Sequence, residues 1–105
     1  MSKDYGVSAI IGDLLERYFI LDGVERNAVE YLCFSCVDQG ICVHLPYYEP
    51  QGGWCLRLTS EMTAQLLPKI SYYDLTAKLI DGNTVTLIRN ATFTVRRKEN
   101  YLCED

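Results

Sequence analysis

The sequence predicts an all-β domain, with about seven short antiparallel strands stacked as two sheets. Three observations predict it. Several runs alternate apolar and polar residues with period two, the mark of a strand with one buried face. Gly and Pro punctuate the chain at short intervals: Gly12, Gly23, Gly40, Pro46, Pro50, Gly52, Gly53, Pro68 and Gly82. Eight Tyr, three Phe and one Trp bring the aromatic share to 11%, which favours strands over helices. Each sheet hides only one face, so two must pack together.

The elements follow in order. Residues 5–11 (YGVSAII) begin a first strand, broken at Gly12-Asp13. Residues 14–20 (LLERYFI) fit strand or helical spacing, and Leu21-Asp22-Gly23 turns the chain. In 28–37 (AVEYLCFSCV), Leu32, Phe34 and Cys36 fall on one face and Tyr31, Cys33, Ser35 and Val37 on the other. After a turn at 38–40, residues 41–45 (ICVHL) point Ile41, Val43 and Leu45 inward and Cys42 and His44 outward. Residues 46–53 (PYYEPQGG) read as a loop. Residues 54–58 put Trp54, Leu56 and Leu58 on one side. Thr59 or Ser60 then caps a helical turn with Glu61 in its first positions, ended by Pro68. Residues 71–80 alternate most clearly, with Tyr73, Leu75, Ala77 and Leu79 opposite Tyr72, Asp74, Thr76 and Lys78. Asp81-Gly82-Asn83 makes a hairpin turn. Strands at 84–89 and 91–97 follow, and residues from Lys98 onward read as a frayed end. The expected architecture is an immunoglobulin-like sandwich, with a small barrel as the alternative.

A chain of 105 residues is one domain, 1–105, with no repeat or linker. The net charge of -4 argues against a nucleic-acid or anionic-membrane partner, each of which needs a basic face. No apolar run is long enough for a spanning helix. The N-terminus lacks the basic-then-apolar pattern of a signal peptide, and five cysteines suit reduced thiols in a cytosolic product.

Little in the sequence points to catalysis, and the expectation is a protein that is not an enzyme and carries no cofactor or metal. Cys33-Phe34-Ser35-Cys36, with Cys42, Cys55 and His44, offers zinc-type ligands. In a strand, however, Cys33 and Cys36 point to opposite faces. A redox role would need a helix N-terminus beside the thiol. His44, the single histidine, has no nucleophile motif to serve. Glu49, Glu61 and Asp74 could supply paired carboxylates, but nothing in their spacing joins them. Tyr47 and Tyr48, between Pro46 and Pro50 and near Trp54, form the candidate interaction patch, able to stack on a sugar ring or a partner protein. Arg96-Arg97-Lys98 reads as a solvated basic strand end.

From Leu58 onward the motifs run L-T-S-E-M-T-A-Q-L, then Y-Y-D-L-T-A-K-L-I-D-G-N-T-V-T-L-I, then A-T-F-T-V. This stretch, residues 58–95, resembles small β-sandwich proteins of tailed bacteriophages, including the N-terminal domain of upper-baseplate-type proteins. In that family a strand ending in L-T leads into a threonine-bearing helical turn, a Y-D-L strand, a D-G hairpin and a closing F-T-V strand. The likeness gives Thr59, Tyr73, Asp74, Asp81, Gly82, Phe93 and Val95 structural parts. It implies a virion component (baseplate, tail or capsid accessory subunit) made in the host cytoplasm. Such a component contacts other virion subunits and works as a homo-oligomer or ring within the particle. Asn90 stands where the likeness leads one to expect glycine in a turn; asparagine tolerates positive φ there. Ten residues follow Val95, which favours a compact accessory subunit over a connector. A carbohydrate-binding module is the alternative reading.

Overall fold

A computed structural model of the chain describes residues 5–98. It is an all-β sandwich of two sheets. The strands are β1 (Val7–Ile10), β2 (Leu15–Phe19), β3 (Val29–Cys36), β4 (Ile41–Leu45), β5 (Tyr47–Tyr48), β6 (Gly53–Leu58), β7 (Ile70–Leu79) and β8 (Thr84–Arg96). One turn of helix, α1 (Ser60–Thr63), links β6 to β7. The larger sheet runs β1-β8-β7-β3-β4 and the smaller β2-β6-β5. This is the strand division of an immunoglobulin-like sandwich, with β4 added to the larger sheet and β1 placed there beside β8 rather than beside β2.

The strand pattern needs three corrections. Among the described residues there are eight strands, because Tyr47 and Tyr48 pair with Trp54 and Gly53 rather than forming a free loop. The pairing is not antiparallel throughout: β1 lies parallel to β8, with Val7 opposite Phe93 and Ile10 opposite Arg96. The chain then crosses to the other sheet between Ile10 and Leu15, so β1 and β2 never form a hairpin. Residues 84–96 form one strand, not two separated by a turn at Asn90. The register of β8 against β7 slips between Tyr73 and Leu75 and again between Leu75 and Thr76, so β8 absorbs extra residues as bulges. Asn90 sits at the first slip with φ 56, the left-handed conformation expected of it. The expectation of a frayed end at 98–105 lies almost wholly outside the described residues.

The core is the set of faces that alternation assigns inward. Leu32, Phe34, Leu56, Leu58, Leu75 and Phe93 are fully buried. Phe34 stacks on Tyr73 at 4.5 Å between ring centroids and meets Phe93 edge-on at 5.4 Å. Phe19 brings the smaller sheet onto the same ring, 6.3 Å from Tyr73. The larger sheet sets the shape: β8 alone is 13 residues, roughly 40 Å when extended. The Cα envelope measures 53 × 30 × 29 Å.

The turns use the expected chemistry. Thr59 is the cap of α1, its hydroxyl accepting from the Met62 N–H at 3.2 Å. The β7–β8 hairpin closes with Gly82 N–H donating to Leu79 O and Leu79 N–H to Asn83 O. Gly82 takes φ +96, a conformation that a side chain would strain. The Asp81 carboxylate accepts from the Asn83 N–H at 2.9 Å and so fixes the turn.

Candidate functional site

The three aromatic residues of the expected patch do not share a surface. Trp54 is central in β6, 5% exposed, and part of the core. What little surface it keeps lies inside the cleft beside Tyr47. Tyr47 alternates inward along β5 and packs edge-on against Trp54 at 5.0 Å. Tyr48 points the other way, is 47% exposed, and lies 5.8 Å from Tyr18 across the smaller sheet. Burial of Tyr18, followed by the nearby Cys55, moves the Tyr18 hydroxyl above its ordinary pKa.

A shallow cleft of about 470 Å³ opens beside Tyr47, and Pro46 and Trp54 line it too, so two of the three patch residues meet there without Tyr48. Tyr31 and His44, neighbours across β3 and β4, stack at 4.0 Å on one wall. On the other, the Arg26 guanidinium lies 4.5 Å over the Tyr47 ring and pairs with Glu49 at 3.7 Å. Arg26 comes from the turn before β3, a position with no periodic signal, so the sequence pattern does not announce this cleft.

A second surface covers one end of the larger sheet's outer face. Ile70 and Tyr72 alternate outward on β7, at 61% and 58% exposure, and Val37 is 88% exposed beyond β3. Tyr72 and Val37 line a depression of about 480 Å³ with Ser35, Asp38, Asp74 and Asn90. Polar contacts fasten this end. Lys69 pairs with Asp38 at 3.1 Å and lowers the Asp38 carboxyl's pKa. Gln39 bonds both the N–H and the carbonyl of Leu67. Asp74 Oδ1 accepts from the Asn90 N–H at 2.9 Å and supports the bulge.

A third surface is almost wholly apolar. On the core-facing side of the β7–β8 arm, Val24, Val29, Leu79, Val85 and Leu87 line a groove of about 260 Å³.

The remaining motif residues are structural. Tyr73, Phe93 and Val95 are core, and the Tyr73 hydroxyl donates to Tyr5 O. Thr63, which the sequence pattern passes over, is fully buried. Its hydroxyl accepts from the Gly12 N–H at 3.1 Å and donates to Asp13 O at 2.8 Å, tying α1 to the β1–β2 crossing.

The cysteines divide as alternation requires. Cys36 is buried in the core, whereas Cys33 and Cys42 meet on the outer face with their sulfurs 3.0 Å apart. Burial, then the hydrogen bond with Cys42, pushes the Cys33 thiol up to about 11. Cys55 belongs to the smaller sheet, and Cys103 lies outside the described residues. Among the described residues no three His, Cys, Asp or Glu side chains gather to hold a metal ion. Glu49 pairs with Arg26, Glu61 sits in α1 and Asp74 serves Asn90, so the three carboxylates have separate duties. Of the basic strand end, Lys98 pairs with Asp13 at 2.6 Å. No helix of the described residues is long and apolar enough to cross a membrane.

In comparison with known proteins, no family model, no curated protein and no solved structure matches the chain.

Proposed function

We propose that the chain is a non-enzymatic assembly subunit of a tailed-phage or prophage particle, a baseplate, tail or capsid accessory protein. It works through contacts with other subunits. One observation carries the assembly part of this reading: Val37 and Tyr72 stand exposed around one depression of the larger sheet, with Ile70 exposed on the same face of β7 two residues before Tyr72. Water-exposed apolar side chains grouped on a rigid sheet are the usual sign of a protein-binding face. The virion part rests on the likeness of residues 58–95 to phage sandwich proteins. The test is mass spectrometry of purified particles together with a Tyr72→Lys, Ile70→Lys variant. Wild type is expected at a fixed copy number in particles, with the variant folded but missing from them. Particles assembled and infectious without the protein refute the reading.

A second reading, carbohydrate binding, is favoured by the Tyr31/His44 wall and the Tyr47 ring in one cleft. Stacked aromatic walls suit the apolar face of a sugar. Titration of simple saccharides into wild type and a Tyr31→Ala variant tests it. Heat of binding in wild type that the variant loses supports the reading, and none in wild type ends it.

A further inference from the structure

Among the described residues the outer edge of β8 is open over most of its length. β1 covers it only from Phe93 to Arg96. From Thr84 to Thr92 nothing among the described residues pairs with that side. An open edge with high strand propensity is a template for another strand, and proteins usually guard it with charge, proline or brevity. Between Thr84 and Thr86 this edge has none of the three; Arg89 and the two bulges lie further along it. Residues 82–88 (GNTVTLI) hold no charge and no proline, and Thr84, Val85 and Thr86 are exposed. The smaller sheet's edge strand β2 carries Glu16 and Arg17, and β5 has only two residues.

The hairpin fixes which backbone groups face outward. Leu79 N–H donates to Asn83 O, so Asn83 is directed at β7. Antiparallel ladders alternate, so Val85, opposite Ala77, is directed at β7 as well. The N–H and C=O of Thr84 and Thr86 therefore point away, to the free edge.

We infer that this edge pairs with the same edge of a second copy, antiparallel, about a two-fold axis passing beside Val85. The inference rests on the assembly reading above and adds to its Tyr72 face a second surface, at the hairpin end of the larger sheet, with a named partner. Three features select a second copy over another chain. First, the outward groups are self-complementary: Thr84 faces Thr86 of the partner subunit and Thr86 faces Thr84 of the partner subunit, each pair exchanging two hydrogen bonds. Second, Val85 meets Val85 of the partner subunit at the non-hydrogen-bonded site, where side chains come closest. The apolar grooves beside Val85 and Leu87 then lie on one side of a continuous sheet. Third, the lengths match: in this register the partner's hairpin ends short of β1, which covers β8 only from Phe93 onward.

Sedimentation of the full chain across roughly 1–500 µM tests the pairing, since so short an edge predicts an affinity in about the micromolar range. Wild type is expected to pass from monomer to dimer. Thr86→Pro removes an N–H that β7 does not use, so it should keep the strand circular dichroism and stay monomeric. A second readout does not depend on that variant. With Cys42 and Cys103 replaced by serine, Val85→Cys should form a disulfide-linked dimer when diamide oxidises the two thiols; Thr84→Cys should not. Wild type that is monomeric throughout, or a dimer that survives Thr86→Pro while Val85→Cys stays uncross-linked, overturns the inference. Either result leaves the particle experiment to judge the assembly reading separately.

Discussion

Replacing Thr63 with valine removes one oxygen and leaves the volume nearly unchanged. Besides a longer contact to Ser60 O at 3.2 Å within α1, the fully buried hydroxyl makes two long-range hydrogen bonds, from the Gly12 N–H at 3.1 Å and to Asp13 O at 2.8 Å. Each is worth about 1 kcal/mol net. Gly12 is exposed, so its released N–H finds water and adds little further cost. The expected loss is therefore ~2 kcal/mol. With a urea dependence of about 1–1.5 kcal/mol/M for a domain this size, the unfolding midpoint should fall by roughly 1.5–2 M. Thr63→Ser is the informative control. It keeps the hydroxyl and deletes one buried methyl, at about 1 kcal/mol. The expected order of midpoints is wild type, then serine, then valine. If valine matches wild type, or is more stable than serine, Thr63 acts by packing and the tie between α1 and the β1–β2 crossing is not what holds this end together.

Gly53→Ala should destabilise by about 1–3 kcal/mol, because the added Cβ would lie 2.7 Å from the Phe19 carbonyl oxygen; an unchanged urea midpoint would refute the clash. Asp74→Ala should cost ~1 kcal/mol by freeing the Asn90 N–H, and Asp74→Asn should recover part of it, both read by urea unfolding. The fold favours the neutral Cys33 thiol, moving its pKa from 9.0 to about 11. That contribution to stability is complete below pH 9 and disappears as pH rises towards 11. At pH 8 native Cys33 should alkylate roughly 100-fold more slowly than in the urea-unfolded chain, measured by peptide mass spectrometry. Equal rates would contradict the shift.

Strand interiors were legible because burial follows alternation. Leu32, Phe34, Tyr73, Leu75, Phe93 and Val95 all lie on the faces that period two assigns them. Local turn chemistry was equally readable at Thr59 and Gly82. Partnership was not. Nothing in the residues of β1 distinguishes a parallel place beside β8 from an antiparallel one beside β2, since both bury Val7 and Ala9. The aromatic patch failed for a related reason. Two adjacent tyrosines in a strand must face opposite ways, and Trp54 follows the same inward alternation as Leu56. The cleft by Tyr47 depends on Arg26, which only the fold brings there. Asn90 reads as a special backbone position from the sequence, but bulge and turn ask for the same left-handed residue, so the sequence pattern does not separate them.

The meeting of the first strand with the last governs how the chain matures. A ribosome releases Val7 long before Phe93, and β7, too, has no neighbour on one side until β8 emerges. Through most of its synthesis the nascent chain holds an incomplete larger sheet and must keep its apolar face away from other chains. Closing a loop of more than eighty residues to seat Val7 is a slow, long-range step. Anything that delays the final segment therefore lengthens the interval in which β7 is exposed to the wrong neighbour.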